Sequence, residues 1–301
     1  ILETNDEWIQ QRTGIAQRRH VDEGEENSHM CVKAAKQALE EAGIEASELD
    51  LIIVATISGD YQMPATACLV QHALGATNAG AFDVQAAGSG FVTALSVGEA
   101  FVSSGRFDRV LVIGAEALSR FLDFEDRGSA ILFGDGAGAA VLTPHSECKR
   151  GEIIKTTLGA DGEGWDHIWI PSGGTKRPAS LESVAEREHF IRVNGREVYR
   201  FAVKRMGEVI GEMMEGYDQS EIGLIVPHQV NQRIIDAAVE RHNIPAEKVM
   251  VNINKYGNTS AASVPIALHE AIETGRMEDG KLVVLAAFGA GLTWAGALLR
   301  W

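Results

Sequence analysis

His228, Asn258 and the turn at Gly88 are the points where this sequence has the residue types and spacing for chemistry. His228 follows the apolar run Ile222-Gly-Leu-Ile-Val226, and Asn258 lies in Asn254-Lys-Tyr-Gly-Asn-Thr-Ser260, ahead of a helical stretch. A Cys/His/Asn set suits acyl transfer with decarboxylation. A helix-end thiolate takes the acyl group, and His and Asn then donate hydrogen bonds to a thioester oxygen as an enolate develops. The stretch Ala81-Phe-Asp-Val-Gln-Ala-Ala-Gly-Ser-Gly-Phe-Val-Thr-Ala-Leu95 reads as a strand-to-helix elbow. Free N–H groups and the helix dipole at such a point stabilise an anion and lower a thiol's pKa. The residue there is Gly88, so two of the three groups are present and the nucleophile is not. Ser89 lies one step into the helix and is expected to point elsewhere.

The elements that must position these residues are legible as an alternation of strands and helices. Met30, Cys31, Ala34, Ala35, Ala38, Leu39 and Ala42 recur at helical spacing from Ser28 to a C-terminal glycine, Gly43. Leu51–Ile57 reads as a buried parallel-type strand, and Ala65–Leu74 as a helix after Pro64. The Phe82 strand, the Gly88 turn, a helix to about Ser104 and a strand over 109–114 follow. Cys31 and Cys68 are both expected to pack within their helices. Phe133-Gly-Asp-Gly-Ala-Gly-Ala-Ala-Val141 is expected to be a tight structural turn feeding a strand rather than a phosphate cradle, because no helix opens from it. The polar, glycine-rich stretch 145–178, with Trp165 and Trp169, reads as a linker or a loop flanking the site. A helix over Arg196–Met214, the Ile222 strand and a helix opening after Pro227 complete the order. Such alternation implies an α/β layered fold with a mainly parallel sheet.

An internal echo suggests a duplication. Gly88 to Gly105 and Asn258 to Gly275 are both 17 positions, and each of these later glycines precedes an arginine. Setting Gly88 opposite Asn258 aligns strand Phe82–Gln85, helix Ser89–Ser104 and strand Val110–Ile113 with strand Val251–Asn254, helix Ser260–Thr274 and strand Leu282–Leu285. Two pseudo-symmetric α/β halves follow, over residues 1–150 and 151–301. Ligands of such sheets collect beyond the carboxyl ends of the strands, so Gly88, His228 and Asn258 are expected to converge on one pocket.

Composition narrows the class. With 301 residues and 45% hydrophobic content the chain can bury a large core. A formal charge of −15 argues against general affinity for nucleic acid or anionic membrane, so an acidic partner needs a local basic patch. Three cysteines without metal or disulfide spacing suit a reducing, cytoplasmic compartment, and no metal site is expected. No targeting segment or membrane-spanning run is visible.

The chain resembles the β-ketoacyl-acyl-carrier-protein synthase III family over nearly all of its length. The motifs are 6–15 (Asp-Glu-Trp-Ile-Gln-Gln-Arg-Thr-Gly-Ile), 83–91, Asp126-Arg-Gly128, 133–138, 227–233, 254–260 and Phe288-Gly-Ala-Gly-Leu-Thr-Trp294. The resemblance implies a thiolase-like fold in a layered αβαβα arrangement. It further implies an acyltransferase that starts type II fatty acid synthesis by condensing a short acyl-CoA with malonyl-acyl carrier protein, as a homodimer. Coenzyme A is then part of the substrate, and no separate cofactor is needed.

Carried over by position, His228 and Asn258 would activate the malonyl thioester, and backbone N–H groups at Gly88 and near Ala290 would form a second oxyanion hole. Trp8 and Arg127 would sandwich the adenine of coenzyme A, with Arg12, Thr13, Gly195, Tyr199 and Asn231 along its path. Met63 would reach from the partner subunit to close the acyl pocket, which Phe82 also lines. Arg233, Arg200 and Arg241 would form the basic patch for acidic carrier protein. Two departures stand out: Gly88 occupies the position of the family's nucleophilic cysteine, and the family's first strand and loop are absent. A chain without the thiol is expected to fail at condensation while keeping decarboxylation. A non-catalytic acyl-binding or dimer-partner subunit and a malonyl-thioester decarboxylase are the alternatives.

Overall fold

The computed structural model describes residues 2–148 and 150–301. In chain order the elements are α1 (Asp6–Thr13), α2 (Asn27–Ala42), β1 (Leu51–Ala55), α3 (Thr66–Leu74), β2 (Gly80–Val84), α4 (Gly90–Ser103), β3 (Val110–Glu116), α5 (Arg127–Ala130), β4 (Gly136–Leu142) and β5 (Glu152–Ala160). They continue with β6 (Ile168–Trp169), α6 (Leu181–Ala185), β7 (Arg192–Val193), α7 (Gly195–Met214), β8 (Ile222–Pro227), α8 (Gln232–Glu240), α9 (Ile253–Tyr256), α10 (Ser263–Glu273), β9 (Leu282–Gly289) and β10 (Thr293–Arg300). Helix α2 ends at Gly43 in the left-handed conformation, as expected of a glycine C-cap.

Two mixed sheets carry the fold. The first has the order β2-β1-β3-β4, with β1 parallel to β2 and β3, and β4 antiparallel to β3. The second runs β5-β10-β9-β8, with β8 parallel to β9 and β10 antiparallel to both β9 and β5. Alternation along the strands sets five layers. Ile52, Val54, Leu111 and Ile113 pack with Cys31, Ala35 and Leu39 of α2 and with Val70 of α3. The opposite faces, Leu51, Ile53 and Val112 of the first sheet and Leu224, Val283 and Leu285 of the second, enclose Phe91 and Leu95 of α4 and Val264 and Ala267 of α10. Beyond the second sheet, Ile225, Leu282 and Val284 pack on Met206 and Ile210 of α7 and Ile235 of α8. The αβαβα arrangement is thus present, with α4 and α10 in the middle layer.

The two turns that the sequence alignment sets opposite each other correspond in the structure in a different register. One short 3-10 turn, Ala87–Ser89, precedes α4, and another, Ser260–Ala262, precedes α10. Each opens on a residue with positive φ, Ala87 at 45° and Ser260 at 49°. The elbow counterpart of Gly88 is therefore Ala261, and Asn258 stands three residues upstream. The glycine spacing aligned the helix ends, whereas α10 has 11 residues to the 14 of α4.

Three further expectations are corrected. Residues 145–178 are not simply a linker, since β5 covers the edge of β10 and β6 pairs with β7. The edge strand Glu152-Ile-Ile-Lys-Thr-Thr-Leu-Gly-Ala160 is half-buried and polar, so it lacks the apolar signature of an interior strand. Val251–Asn254 is not a strand. Its outer-strand role shrinks to a single parallel bridge between Val249 and Ile225, and α9 begins at Ile253. The Gln229 carboxamide accepts the N–H groups of Asn252 (2.9 Å) and Ile253 (3.1 Å), which a ladder would otherwise use. Cys68 is exposed on α3, while Cys31 is fully buried as expected, and desolvation raises its thiol's pKa well above the usual range.

Candidate active site

The two elbows meet face to face. A β-carbon on Gly90 would lie 3.2 Å from those of Ala261 and Ala55, so the start of α4, the second elbow and the end of β1 are in van der Waals contact. Gly114 of β3 faces the Ala261 carbonyl with no room for a side chain. This close approach brings the ends of β1 and β3, the start of α4 and the turn before α10 together.

His228 follows β8 and is 2% exposed. Its backbone N–H donates to the Ala286 carbonyl of β9 at 2.8 Å, and its ring packs edge-on to Phe288, with centroids 5.5 Å apart. The ring Nε2 lies 2.5 Å from where a β-carbon on Gly88 would stand, so the imidazole is aimed at the first elbow. Burial without a charged partner lowers the pKa of His228 from 6.5 to about 3, which leaves the ring neutral at physiological pH. Nδ1 is buried and, among the described residues, has no hydrogen-bond partner. A buried unpaired N–H is costlier than an unpaired lone pair, so the proton belongs on Nε2, facing the elbow.

Asn258 is held by its backbone and by one side-chain oxygen. Its N–H donates to the Leu132 carbonyl (2.9 Å), its carbonyl accepts from Gly134 (3.0 Å), and Oδ1 accepts the Ser260 N–H at 2.9 Å. The acceptor end of the carboxamide thereby holds the Ser260 N–H, and Nδ2 is the end that can donate. The loop bearing His228 is joined to α10 by Gln229, whose N–H donates to the Ser263 hydroxyl at 2.6 Å. Gln229 also donates its Nε2 to the Pro227 (2.9 Å) and Met250 (3.0 Å) carbonyls, so one buried amide fixes the loop. Sequence reading quoted Gln229 within a motif and gave it no role; a polar residue beside an apolar strand end was its only signal.

Gly88 itself is buried, and a side chain there would meet both the Phe288 carbonyl and the His228 ring. Across the elbow, a β-carbon on Gly289 would sit 2.7 Å from the Gly88 nitrogen and 3.0 Å from that of Ser89. The end of β9, next to Ala290, therefore lies directly on the N–H groups of the first elbow. Ser89 points away, as expected. Its fully buried hydroxyl donates to the Ala86 carbonyl (2.9 Å) and pairs with the Thr293 hydroxyl (2.9 Å).

The remaining sequence-derived residues divide into groups. Arg127 lies over the Trp8 ring at 4.7 Å and Arg12 at 5.7 Å, forming one cationic and aromatic cluster. Asn231 caps α8 by accepting the Arg233 N–H (2.9 Å) and donates Nδ2 to the Arg12 carbonyl (3.2 Å), tying α1 to α8. Thr13 is buried, and its hydroxyl serves its own helix, donating to the Ile9 carbonyl at 2.7 Å. Gly195 opens α7, with Tyr199 and Arg200 exposed on its first turns; among the described residues no hydrogen bond or ion pair links these three to the Trp8 cluster. Arg233 and Arg241 are exposed near the two ends of α8, and Arg241 reaches the Lys204 carbonyl at 3.4 Å. Phe82 is half-buried on β2 against the middle layer, whereas Met63 is 85% exposed. In the Phe133 turn, the Asp135 carboxylate accepts the Val21 (2.9 Å) and Ser119 (2.8 Å) N–H groups.

Comparison with known proteins supplies the family. The model described as 3-oxoacyl-[acyl-carrier-protein] synthase III matches residues 82–162, and its C-terminal counterpart matches residues 213–301. The β-ketoacyl-[acyl-carrier-protein] synthase III of Natranaerobius thermophilus is 48% identical over all of this chain and 92% of its own length, and that of Chlorobaculum tepidum is 49% identical with the same coverage. The crystal structure of 3-oxoacyl-[acyl-carrier-protein] synthase III from Aquifex aeolicus superposes with a TM-score of 0.89 at 46% identity, covering 99% of this chain and 92% of that one. The Thermus thermophilus enzyme gives 0.90 at 42% identity, covering 100% and 92%. The five-layer fold is thus thiolase-like, and the chain belongs to the 3-oxoacyl-[acyl-carrier-protein] synthase III family of acyltransferases.

Proposed function

We propose that this site handles the malonyl thioester in the reaction that initiates fatty acid synthesis, and that Gly88 removes the acyl-enzyme step from it. The observation that carries this reading is the neutral His228 imidazole aimed at the elbow where a nucleophile would stand. As the malonyl carboxylate leaves as carbon dioxide, the electron pair of the broken C–C bond forms an enolate whose oxygen takes hydrogen bonds from His228 Nε2–H and Asn258 Nδ2–H. A neutral donor stabilises that charge without giving up its proton prematurely. In condensation the enolate carbon would attack an enzyme-bound acyl group; with glycine at position 88 a proton from water ends the reaction instead, leaving an acetyl thioester.

The Trp8, Arg12 and Arg127 cluster suits the adenine and phosphates of an acyl-CoA, since an indole face stacks on a flat base and guanidinium groups stack on it or pair with phosphate. Arg200, Arg233 and Arg241 offer local positive charge to an acidic carrier protein on an otherwise acidic molecule. Exposed Met63 suits a homodimer in which it reaches the partner's acyl pocket. A cytoplasmic location fits the exposed, unpaired Cys68 and Cys148. Among the described residues no helix is long and apolar enough to cross a membrane.

The test is Gly88→Cys incubated with labelled acetyl-CoA. The expected result is a covalent acetyl adduct by intact mass, followed by condensation with malonyl-acyl carrier protein. A folded variant that stays unmodified would overturn the assignment. A second reading, a dedicated malonyl-thioester decarboxylase, is favoured by the close packing of the Phe288 carbonyl and His228 around Gly88. It expects carbon dioxide release by the unsubstituted chain without acyl-CoA, abolished in His228→Ala.

A further inference from the structure

Glu116 is the last residue of β3, fully buried, and takes no part in the chemistry above. Its carboxylate gathers donors from both halves of the molecule. On the first-half side Oε2 accepts from the Thr56 hydroxyl (3.2 Å), the Ile57 N–H (3.1 Å) and the Ser58 hydroxyl. On the second-half side Oε1 accepts from the Ser260 hydroxyl at 3.2 Å. All of these partners are neutral. Ser58 is held in turn by the Ala117 N–H (2.8 Å), and Thr56 by Asn27 Nδ2 (2.8 Å), so the first-half end of the network is anchored.

Ser260 is the residue of the second elbow in the left-handed region, where a non-glycine backbone is strained unless its surroundings hold it. The same residue donates its N–H to Asn258 Oδ1 at 2.9 Å. A continuous path therefore runs from the Glu116 carboxylate through the Ser260 hydroxyl and N–H to the carboxamide of Asn258. We infer that Glu116 is a positioning residue that acts through Ser260 to fix which end of the Asn258 carboxamide faces the substrate. The carboxylate pins the Ser260 side chain, the pinned residue keeps its N–H on Oδ1, and Nδ2 is left to donate. Burying a carboxyl group among neutral donors is costly, and burial raises the pKa of Glu116 to about 7, so its place here calls for a function. The inference rests on the reading that Asn258 donates to the malonyl thioester.

The test separates the two claims. In protein labelled with 15N-asparagine, the Asn258 side-chain amide signals are assigned by their loss in Asn258→Ala. Glu116→Ala and Ser260→Ala are expected to shift these signals and speed their exchange with water, the double variant to do no more than either single one, and Glu116→Gln, which keeps acceptor and donor, to restore most of the original spectrum. Malonyl-thioester decarboxylation is expected to lose kcat by about tenfold in Glu116→Ala with KM unchanged. If Glu116→Ala does not fold, Ser260→Ala and Glu116→Gln still decide. Asn258 signals unmoved in a folded Glu116→Ala or Ser260→Ala would overturn the inference. Shifted signals in a chain that never decarboxylates a malonyl thioester would overturn the functional reading and leave the positioning role standing.

Discussion

His228 Nε2 stands 2.5 Å from the point a β-carbon on Gly88 would occupy, and the Phe288 carbonyl crowds the same point. Any side chain at position 88 must therefore displace the imidazole, the strand end or both. Gly88→Ala is expected to cost about 1–3 kcal/mol of stability, the range for overpacking a filled interior. Malonyl decarboxylation should be retained, because a small side chain shifts the His228 ring without removing it from the elbow. Chemical denaturation alongside carbon dioxide release checks both; unchanged stability would mean the elbow is looser than the structure shows.

Burial lowers the His228 pKa to about 3 from an unfolded value near 6.5. Between these values the unfolded chain binds the extra proton and the folded one does not, so this group makes stability fall as pH drops from 6.5 toward 3. His228→Gln is expected to lose that part of the acid sensitivity, on the order of a few kcal/mol at most. The decarboxylation rate should show no break near pH 6.5, because the folded ring stays neutral there. A break near 6.5 that disappears in His228→Gln would contradict the neutral-donor role.

Glu116 has the opposite sign. Its pKa rises from 4.5 to about 7 on folding, chiefly through desolvation, against which its hydrogen bonds act. The folded chain holds the proton that the unfolded chain releases, so this group's contribution to stability declines as pH rises from 4.5 to 7. Glu116→Gln should flatten that decline, and its stability relative to the parent should be higher at pH 8 than at pH 5. Urea titrations at the two pH values measure the difference.

Trp8 and Arg127, 4.7 Å apart from ring centroid to guanidinium carbon, form the proposed adenine clamp. Trp8→Ala is expected to weaken coenzyme A binding by about tenfold, the value of a partly exposed stacking and cation–π contact. Arg127→Ala should weaken it comparably. Calorimetric titration with free coenzyme A reads this independently of catalysis; equal affinities would move the nucleotide site elsewhere.

Where local chain chemistry decides, the sequence was sufficient. Interior strands such as Leu51–Ala55 and the turn glycines Gly43 and Gly105 are written in residue type, because apolar runs and positive φ leave few alternatives. The strand-end position of His228 followed from the same patterns, whereas Asn258 follows the short helix Ile253–Tyr256 and not a strand. Sequence reading went wrong where one segment's structure depends on another. The polar strand β5 exists because β10 has an edge to cover, and the 253–256 helix begins where Gln229, far away in sequence, takes two N–H groups.

The sequence by itself determined the layered α/β class, since periodicity is a local property. Only the tertiary structure decided how the two elbows correspond, with Ala87 answering to Ser260. It alone showed that His228 is neutral, that Gly88 is hemmed in by its neighbours and that Glu116 joins the halves through Ser260. Those are properties of burial and contact between segments distant in sequence, and no single stretch of chain encodes them.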